Sequence, residues 1–199
     1  MAYSIEEEQE LNQLKDWWKE NAKVVILAFV LGIGCVLGWR FWQSHQVNQI
    51  VQASEQYDAL AYSSQQDKVA QFVQANSKTS YAVFALLDEA KSAVEKQDFA
   101  AAENALKQAL EQSQDEVLTN LAALRLGEVQ FQLGQFDMAL SSLSQVKAAG
   151  FSARKMLLTA DIQLAKGDNN AAKAELEEVV KVGSPLEQQM AQMKLNNLL

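Results

Sequence analysis

An uncharged apolar run near the start of the chain most constrains its fold. No charged residue appears from Val24 to Trp39, and past Arg40 the run continues to Trp42. As a helix rising about 1.5 Å per residue, this segment would extend about 28 Å, close to the hydrocarbon thickness of about 30 Å. The pattern therefore predicts a transmembrane helix at residues 24–42.

Two alternative interpretations fit the residues of this run less well. A buried helix of a soluble protein usually keeps a polar stripe, and the run has none. A cleaved signal peptide would not follow a long acidic leader that contains Trp17 and Trp18. The bulky residues from Trp39 to Trp42 also provide no small-residue cleavage site. We therefore expect an anchor that remains in the protein.

The basic residues around the span predict its orientation. Three lie shortly before the span and one lies at its end: Lys15, Lys19, Lys23 and Arg40. Positively charged flanks tend to stay in the cytosol. We therefore expect residues 1–23 to form a cytosolic leader and residues 44–199 to lie on the other side of the membrane.

Glycines within the span suggest a contact with a second membrane helix. Gly34 and Gly38 form a GxxxG pair, and Gly32 adds to the small-residue patch. Small residues let two helices approach closely in lipid. Glycines are also simply frequent in membrane helices, and the sequence does not decide between these two explanations.

The remaining chain is expected to be all-α. The whole sequence has one proline and eight glycines, and its long tracts consist of good helix formers such as Ala, Leu, Gln and Glu. We expect residues 43–80 to form connecting helices, including a short helix from Asp67 to Ala75. A repeat domain is predicted at residues 81–199.

Three similar turns indicate helical repeats. They read Gln97-Asp98-Phe99, Gly134-Gln135-Phe136 and Gly167-Asp168-Asn169. An alanine follows each turn at the same distance, and these alanines are separated by 37 and then 33 residues: Ala102, Ala139 and Ala172. The tetratricopeptide period is about 34 residues. The spacing predicts an N-terminal transmembrane helix followed by a tetratricopeptide-repeat-like α-solenoid.

Small residues and helix boundaries support the same division. Ala90, Gly127 and Ala160 occupy the position at which the first helix of each repeat must let the second pack closely. Glycines fall where one helix should end and another begin: Gly134, Gly150, Gly167 and Gly183. Ser184, followed by a proline and Glu187, predicts a capped final helix at residues 185–198 that closes the solenoid.

Composition excludes several functions. A net charge of −8 and a pI near 4.7 disfavour nucleic-acid binding, because phosphate backbones would be repelled. One cysteine and one histidine cannot supply a disulfide, a structural zinc site or a Cys/His catalytic pair within one chain. Carboxylate pairs such as Glu177-Glu178 are typical of solvated helix faces. We therefore expect no enzymatic activity, no metal and no cofactor.

Arrays of this kind usually bind peptides or proteins. The positions predicted to line the inner groove are mostly large and apolar: Phe84, Leu87, Val94, Leu121, Leu124, Phe131, Leu157 and Leu164. Such a groove would accept extended, hydrophobic or unfolded polypeptide, with little effect of salt. Alternatively, the helix at residues 44–62 or the final helix fills it in cis, because monomers rarely leave such a patch open.

Two segments resemble a known family, the YfgM-type ancillary subunits of the bacterial SecYEG translocon. The similar residues are Gly38-Trp39-Arg40-Phe41-Trp42-Gln43-Ser44-His45-Gln46-Val47 and Met193-Lys194-Leu195-Asn196-Asn197-Leu198. With the anchor and the repeats between them, the resemblance covers nearly the whole chain. It implies a single-pass type II protein of the Gram-negative inner membrane with a periplasmic repeat domain.

The resemblance also implies partners. Members of this family are thought to help hand newly translocated polypeptides from SecYEG to periplasmic chaperones, beside a PpiD-like membrane-anchored chaperone. The family supplies no catalytic residues, and its cytosolic leader is linked to envelope-stress signalling through a response regulator. Two other functions stay open: a scaffold that assembles envelope complexes without touching unfolded clients, and a regulator that acts chiefly through the leader.

Overall fold

The computed structural model describes residues 5–61, 66–77 and 79–198, and these residues form α-helices, one 3₁₀ helix and no strand. The helices are α1 (Ile5–Ala61), α2 (Gln66–Ala75), α3 (Ser80–Glu95), α4 (Phe99–Gln112), α5 (Glu116–Gln132), α6 (Phe136–Ser144), the 3₁₀ helix (Ala149–Phe151), α7 (Ser152–Ala165), α8 (Asn169–Val182) and α9 (Pro185–Asn196). The predicted all-α class is therefore confirmed. The chain divides into two compact units, Met1–Val51 and Gln52–Leu199.

The first unit contains the apolar part of α1. Within the described residues, one helix is long and apolar enough to cross a membrane, and its most apolar window is wholly unburied. Nearly all the large apolar side chains along it, from Val24 to Trp42, are exposed. In water such a surface would be unfavourable, so its length and composition suit a lipid environment.

The second unit is a stack of antiparallel helix pairs. Helix α3 packs against α4, α5 against α6, and α7 against α8, and these pairs are the three predicted repeats. Helix α2 packs against α3 at one end. At the other end α9 packs against α8 and α7, as expected of a helix that closes a solenoid.

The predicted small residues lie where the two helices of each repeat meet. Ala90 and Ala160 are buried, and so is Gly127. A Cβ atom built on Gly127 would lie 3.0 Å from two side-chain carbons of Leu143 on α6. Helices α5 and α6 therefore approach more closely than a larger residue would allow.

The three repeat turns share one backbone conformation. Gln97, Gly134 and Gly167 each follow the first helix of a repeat and have φ values of +61°, +72° and +83°. This left-handed conformation favours glycine, and only the first turn uses another residue. The side chains of Asp98 and Asp168 then cap α4 and α8 by accepting hydrogen bonds from backbone N–H groups.

A buried polar network joins the first two repeats. Gln130 Nε2 on α5 donates to Glu103 Oε1 on α4 at 3.2 Å, and Ser142 Oγ on α6 donates to Gln130 Oε1 at 2.7 Å. Lys107 Nζ lies 2.8 Å from the same oxygen of Glu103. The hydrogen bond from Lys107 lowers the pKa of the Glu103 carboxyl, so this buried group stays charged and paired.

Candidate interaction surfaces

The membrane helix carries its glycines on two faces. Gly34 and Gly38 are four residues apart and share one face, whereas Gly32 lies about 200° around the helix from Gly34. Gly32 instead lines a shallow depression with Ala28, Phe29, Ile33, Val36 and Leu37. A Cβ atom on any of the three glycines would meet nothing within 4 Å in the chain. One straight partner helix would therefore contact the Gly34 face or the Gly32 face, but not both.

The eight residues of the predicted groove differ widely in exposure. Leu87, Leu124 and Leu157 are only 4–6% exposed and belong to the hydrophobic core. Three more are partly buried: Leu121, Phe131 and Leu164. Phe84 and Val94 are exposed at 36% and 39%. The surface available to a partner as the helices stand is therefore smaller and less apolar than the sequence suggests.

At the first repeat, part of that surface is covered by the chain itself. Tyr57, in the last turns of α1, has ring contacts with Tyr81 and Phe84 on α3 at centroid distances of 5.7 and 6.3 Å. Its ring also contacts Phe72 on α2. Asn76 Nδ2 donates to Gln56 Oε1 at 3.0 Å, which holds the same turn of α1. The end of α1 thus packs on the face of α3 that carries Phe84.

Equivalent positions of the first helices form what we call the inner row. The repeat spacings of 37 and 33 residues place three positions of α3 in register with three positions of α5 and three of α7. All nine residues are exposed or partly exposed. These are Phe84, Asp88 and Lys91 on α3, Leu121, Arg125 and Glu128 on α5, and Arg154, Leu158 and Asp161 on α7. Helices α3, α5 and α7 contact one another in this order. Six of the nine residues are charged.

Both ends of the inner row are paired within the chain. The Tyr57 hydroxyl donates a hydrogen bond to the carboxylate of Asp88. At the other end, Lys194 on α9 forms an ion pair with Asp161. Lys91 lies 3.9 Å from Glu95 on its own helix. The charged groups at the two ends of the row are therefore engaged in cis.

The charged residues in the middle of the row are not paired in this way. Among the described residues, no ion pair within 4 Å joins Arg125, Glu128 or Arg154 to an opposite charge, and none of their side chains makes a hydrogen bond. Burial raises the pKa of the Glu128 carboxyl, and the positive charges of Arg154 and Arg125 act in the opposite direction. Both guanidinium groups therefore lie near this carboxylate, but their positive charges do not fully offset the effect of burial on its pKa.

Sequence reasoning missed these charged residues. The repeat alignment places them in register, because Arg125 aligns with Asp88 and Arg154 with Leu121, but large apolar character, the criterion that defines the predicted groove, excludes them. The described residues contain no group of three or more His, Cys, Asp or Glu side chains that could hold a metal ion. The arrangement presents a surface of mixed charge.

Comparison with known proteins supports the architecture and the membership of a family. The sequence profile of the tetratricopeptide repeat-like domain matches residues 15–199. A protein from Haemophilus influenzae named "Ancillary SecYEG translocon subunit" is 68% identical, over the full length of both chains. A protein of the same name from Aggregatibacter actinomycetemcomitans is 52% identical, again over both full lengths. Another from Escherichia coli K12 is 34% identical over 96% of each chain.

One solved structure has a similar fold. The type III secretion translocator chaperone SycD of Yersinia enterocolitica superposes with a TM-score of 0.52 and 18% sequence identity. The match covers 63% of this chain and 96% of SycD. At this level of identity the likeness concerns the fold alone, and it supports the helical-repeat architecture.

Proposed function

Because the chain belongs to the tetratricopeptide repeat-like family of ancillary SecYEG translocon subunits, we propose that it associates with the SecYEG translocon at the inner membrane and helps pass newly translocated polypeptides to periplasmic chaperones. The observation that carries this proposal is that one chain joins an unburied apolar helix to a stack of helical repeats. Such a chain is suited to holding a protein-binding surface beside the membrane. The role is one of binding, without catalysis.

The proposal places the repeat domain in the periplasm. Lys15, Lys19 and Lys23 precede the span, so residues 1–23 are expected in the cytosol. Protease added to spheroplasts should then digest the domain while a short membrane-protected fragment survives. If the domain resists digestion until the inner membrane is opened, the proposed orientation is wrong.

Contact with a translocon helix is proposed at Gly34 and Gly38. A Gly34→Leu, Gly38→Leu double variant should weaken co-purification with SecYEG in mild detergent, because bulky side chains prevent close helix approach. Gly32→Leu is the matched control, since Gly32 lies on another face of the helix. If Gly32→Leu alone weakens recovery, the partner uses the other face. Unchanged recovery of both variants would assign the contact to the repeat domain.

Photo-cross-linking in living cells tests the partners directly. A photoreactive amino acid at Gly38 should capture a translocon subunit, and one at Arg154 should capture translocated polypeptide or a PpiD-like chaperone. A third probe at Leu14 tests a response regulator at the cytosolic leader. Mass spectrometry of the cross-linked products identifies each partner. Absence of translocon subunits from every product would contradict the proposed function.

A scaffold without unfolded clients is the second candidate. It is favoured by the packing of Tyr57 against Tyr81 and Phe84, which covers part of the first repeat in cis. Under this alternative, cross-links from Arg154 would reach folded envelope proteins and no translocating chain. Arresting translocation with a stalled secretory protein distinguishes the two functions. The stalled chain should be enriched among the cross-linked products only if the protein passes on translocated polypeptides.

A further inference from the structure

We propose that the middle of the inner row, formed by Arg125, Glu128 and Arg154 with Leu121 and Leu158, binds polypeptide segments in which a carboxylate side chain is flanked by apolar residues. This inference rests on the proposed function and names the class of segment that the repeat domain would bind. It concerns one stretch of the second unit, on the adjacent helices α5 and α7.

Charge pairing within the chain singles out this stretch. Asp88 at one end of the row is bonded to Tyr57, and Asp161 at the other end is paired with Lys194. Arg125 and Arg154, in contrast, have no ion pair within 4 Å to any carboxylate in the described part of the chain. The charged groups in the middle of the row are therefore the ones that form no ion pair within 4 Å in the described part of the chain, and an external partner could pair with them.

The identity of the basic residues matters as well. The chain carries a net charge of −8, yet its two arginines beyond the membrane exit are both in the inner row. A guanidinium presents a planar set of donors that matches a carboxylate and is less strongly hydrated than an ammonium. Arg125 and Arg154 are thus suited to hold an acidic side chain at a partly dehydrated surface.

Glu128 complements the two arginines. Its carboxylate is partly buried and makes no hydrogen bond within the described residues. A partly dehydrated carboxylate gains from an added hydrogen-bond donor, and a backbone N–H of a bound extended segment would supply one. Leu121 and Leu158 are partly buried beside the charged groups and offer apolar contact to the neighbours of the acidic residue.

Another carboxylate near Arg154 does not occupy the site. Glu187 belongs to the capping box of α9, where its Oε2 accepts hydrogen bonds from the backbone N–H and the hydroxyl of Ser184 at 2.8 and 2.7 Å. The hydrogen bond from the Ser184 hydroxyl is the main cause that lowers the pKa of Glu187. Its carboxylate is thus engaged at the helix terminus, which leaves the guanidinium of Arg154 for a partner.

The test uses the full chain in detergent micelles and three fluorescein-labelled peptides. Each peptide has the sequence Gly-Ser-Ser-Leu-Ala-X-X-Ala-Leu-Ser-Ser-Gly, with X as Asp, Asn or Lys. Fluorescence anisotropy should show the Asp peptide binding about tenfold more tightly than the Asn peptide, and the Lys peptide most weakly. Raising salt from 0.05 to 0.5 M should remove most of this preference.

Variants then locate the preference. Arg125→Gln and Arg154→Gln should each bring the Asp and Asn peptides to within about threefold of each other. Lys173→Gln makes the same change of charge on the exposed side of α8 and should keep the full preference. Arg125→Lys and Arg154→Lys retain the positive charge but lose the planar set of guanidinium donors. These variants should restore part of the preference, and they replace any Gln variant whose circular dichroism shows unfolding.

Equal binding of the Asp and Asn peptides to the parent would overturn the inference, as would a preference that survives in both Gln variants. Failure of every peptide to bind would also overturn it. In each case, photo-cross-links from the Gly38 probe to translocon subunits would show that association with the translocon stands without this acidic selectivity.

Discussion

The phenolic hydroxyl of Tyr57, in the last turns of α1, donates a hydrogen bond to the carboxylate of Asp88 on α3. The same ring packs against Phe84, so one side chain makes both a polar and an apolar contact with the first repeat. Ala53, one turn earlier on α1, is fully buried. The end of α1 is therefore part of the repeat domain, where it supplies the first repeat with a neighbour.

Loss of this hydrogen bond should destabilise the domain. Tyr57→Phe removes only the hydroxyl and should lower the free energy of unfolding by about 1 kcal/mol, because the bond is charge-assisted but partly exposed. Urea denaturation followed by circular dichroism measures the change. Tyr81→Phe is the control, since the Tyr81 hydroxyl makes no hydrogen bond within the described residues and its removal should change little.

The same pair predicts a dependence on alkaline pH. Burial, with the hydrogen bond and charge of Asp88 as further causes, raises the pKa of Tyr57 from 10.0 to about 12. For an acid whose pKa is raised in the folded state, the stabilisation is complete below the unfolded value and disappears as the pH rises through the folded value. From about pH 7 to pH 10, the difference in stability between the parent and Tyr57→Phe should thus be constant, and it should shrink towards pH 12.

Gln97→Gly should stabilise the first repeat. Gln97 has a φ of +61°, and the equivalent residues of the other repeats, Gly134 and Gly167, are glycines. A left-handed conformation costs a non-glycine residue roughly 1–2 kcal/mol, although glycine loses more entropy on folding. We expect a net gain of about 0.5–1 kcal/mol in urea denaturation. Lys96→Gly, at a φ of −86°, should instead lower stability, and equal effects of both changes would contradict the explanation.

The sequence predicted best those features of the fold that depend on residues close together in the chain. The turn at Gly134 and the capping box at Ser184 depend on residues close in the chain, so their patterns were visible in the sequence and are present in the structure. The close approach at Gly127 followed from the repeat spacing. The short connecting helix expected from Asp67 to Ala75 is α2, which begins one residue earlier, at Gln66.

The candidate surface was harder to predict, because exposure depends on which neighbours pack against each helix. Leu124 and Arg125 are adjacent in sequence, yet Leu124 is buried and Arg125 is partly exposed. A prediction of the groove from apolar character alone therefore includes core residues as well as surface residues. The contact of Tyr57 with α3 joins residues 31 apart, and no local pattern signals it. Pairing of the charges in the inner row likewise becomes visible only when the helices are stacked.

Gly127→Ala tests how closely α5 and α6 approach. The added Cβ would lie 3.0 Å from Leu143, which calls for movement in a packed core. Overpacking costs about 1–3 kcal/mol, against a gain of up to about 1 kcal/mol in helix propensity. We expect a net loss of roughly 1 kcal/mol by thermal and urea denaturation. In a Leu143→Val background the loss should be smaller, and an unchanged loss would show that the contact is not its cause.

Glu128→Gln should alter stability in a pH-dependent manner. Burial raises the pKa of the Glu128 carboxyl, so the charged form is disfavoured in the folded protein at neutral pH. The neutral variant should melt at a higher temperature than the parent at pH 7. This advantage should disappear as the pH falls below about 4.3, the ordinary value for Glu, where both proteins are uncharged at this position. Glu111→Gln, at an exposed position of α4, should show no such trend.

Alanine substitutions should separate core residues from surface residues within the predicted groove. Leu124 is 4% exposed and packs in a cluster with Leu143 and Ile162. Leu124→Ala should therefore cost about 2–5 kcal/mol, because it removes buried apolar surface and leaves a cavity. Val94 is 39% exposed, and Val94→Ala should change stability by no more than about 0.5 kcal/mol. Urea denaturation of both variants, with peptide binding measured in parallel, distinguishes the two roles. A Leu124→Ala variant that keeps its stability but loses peptide binding would show that this leucine belongs to the binding surface. A large loss of stability would assign it to the core.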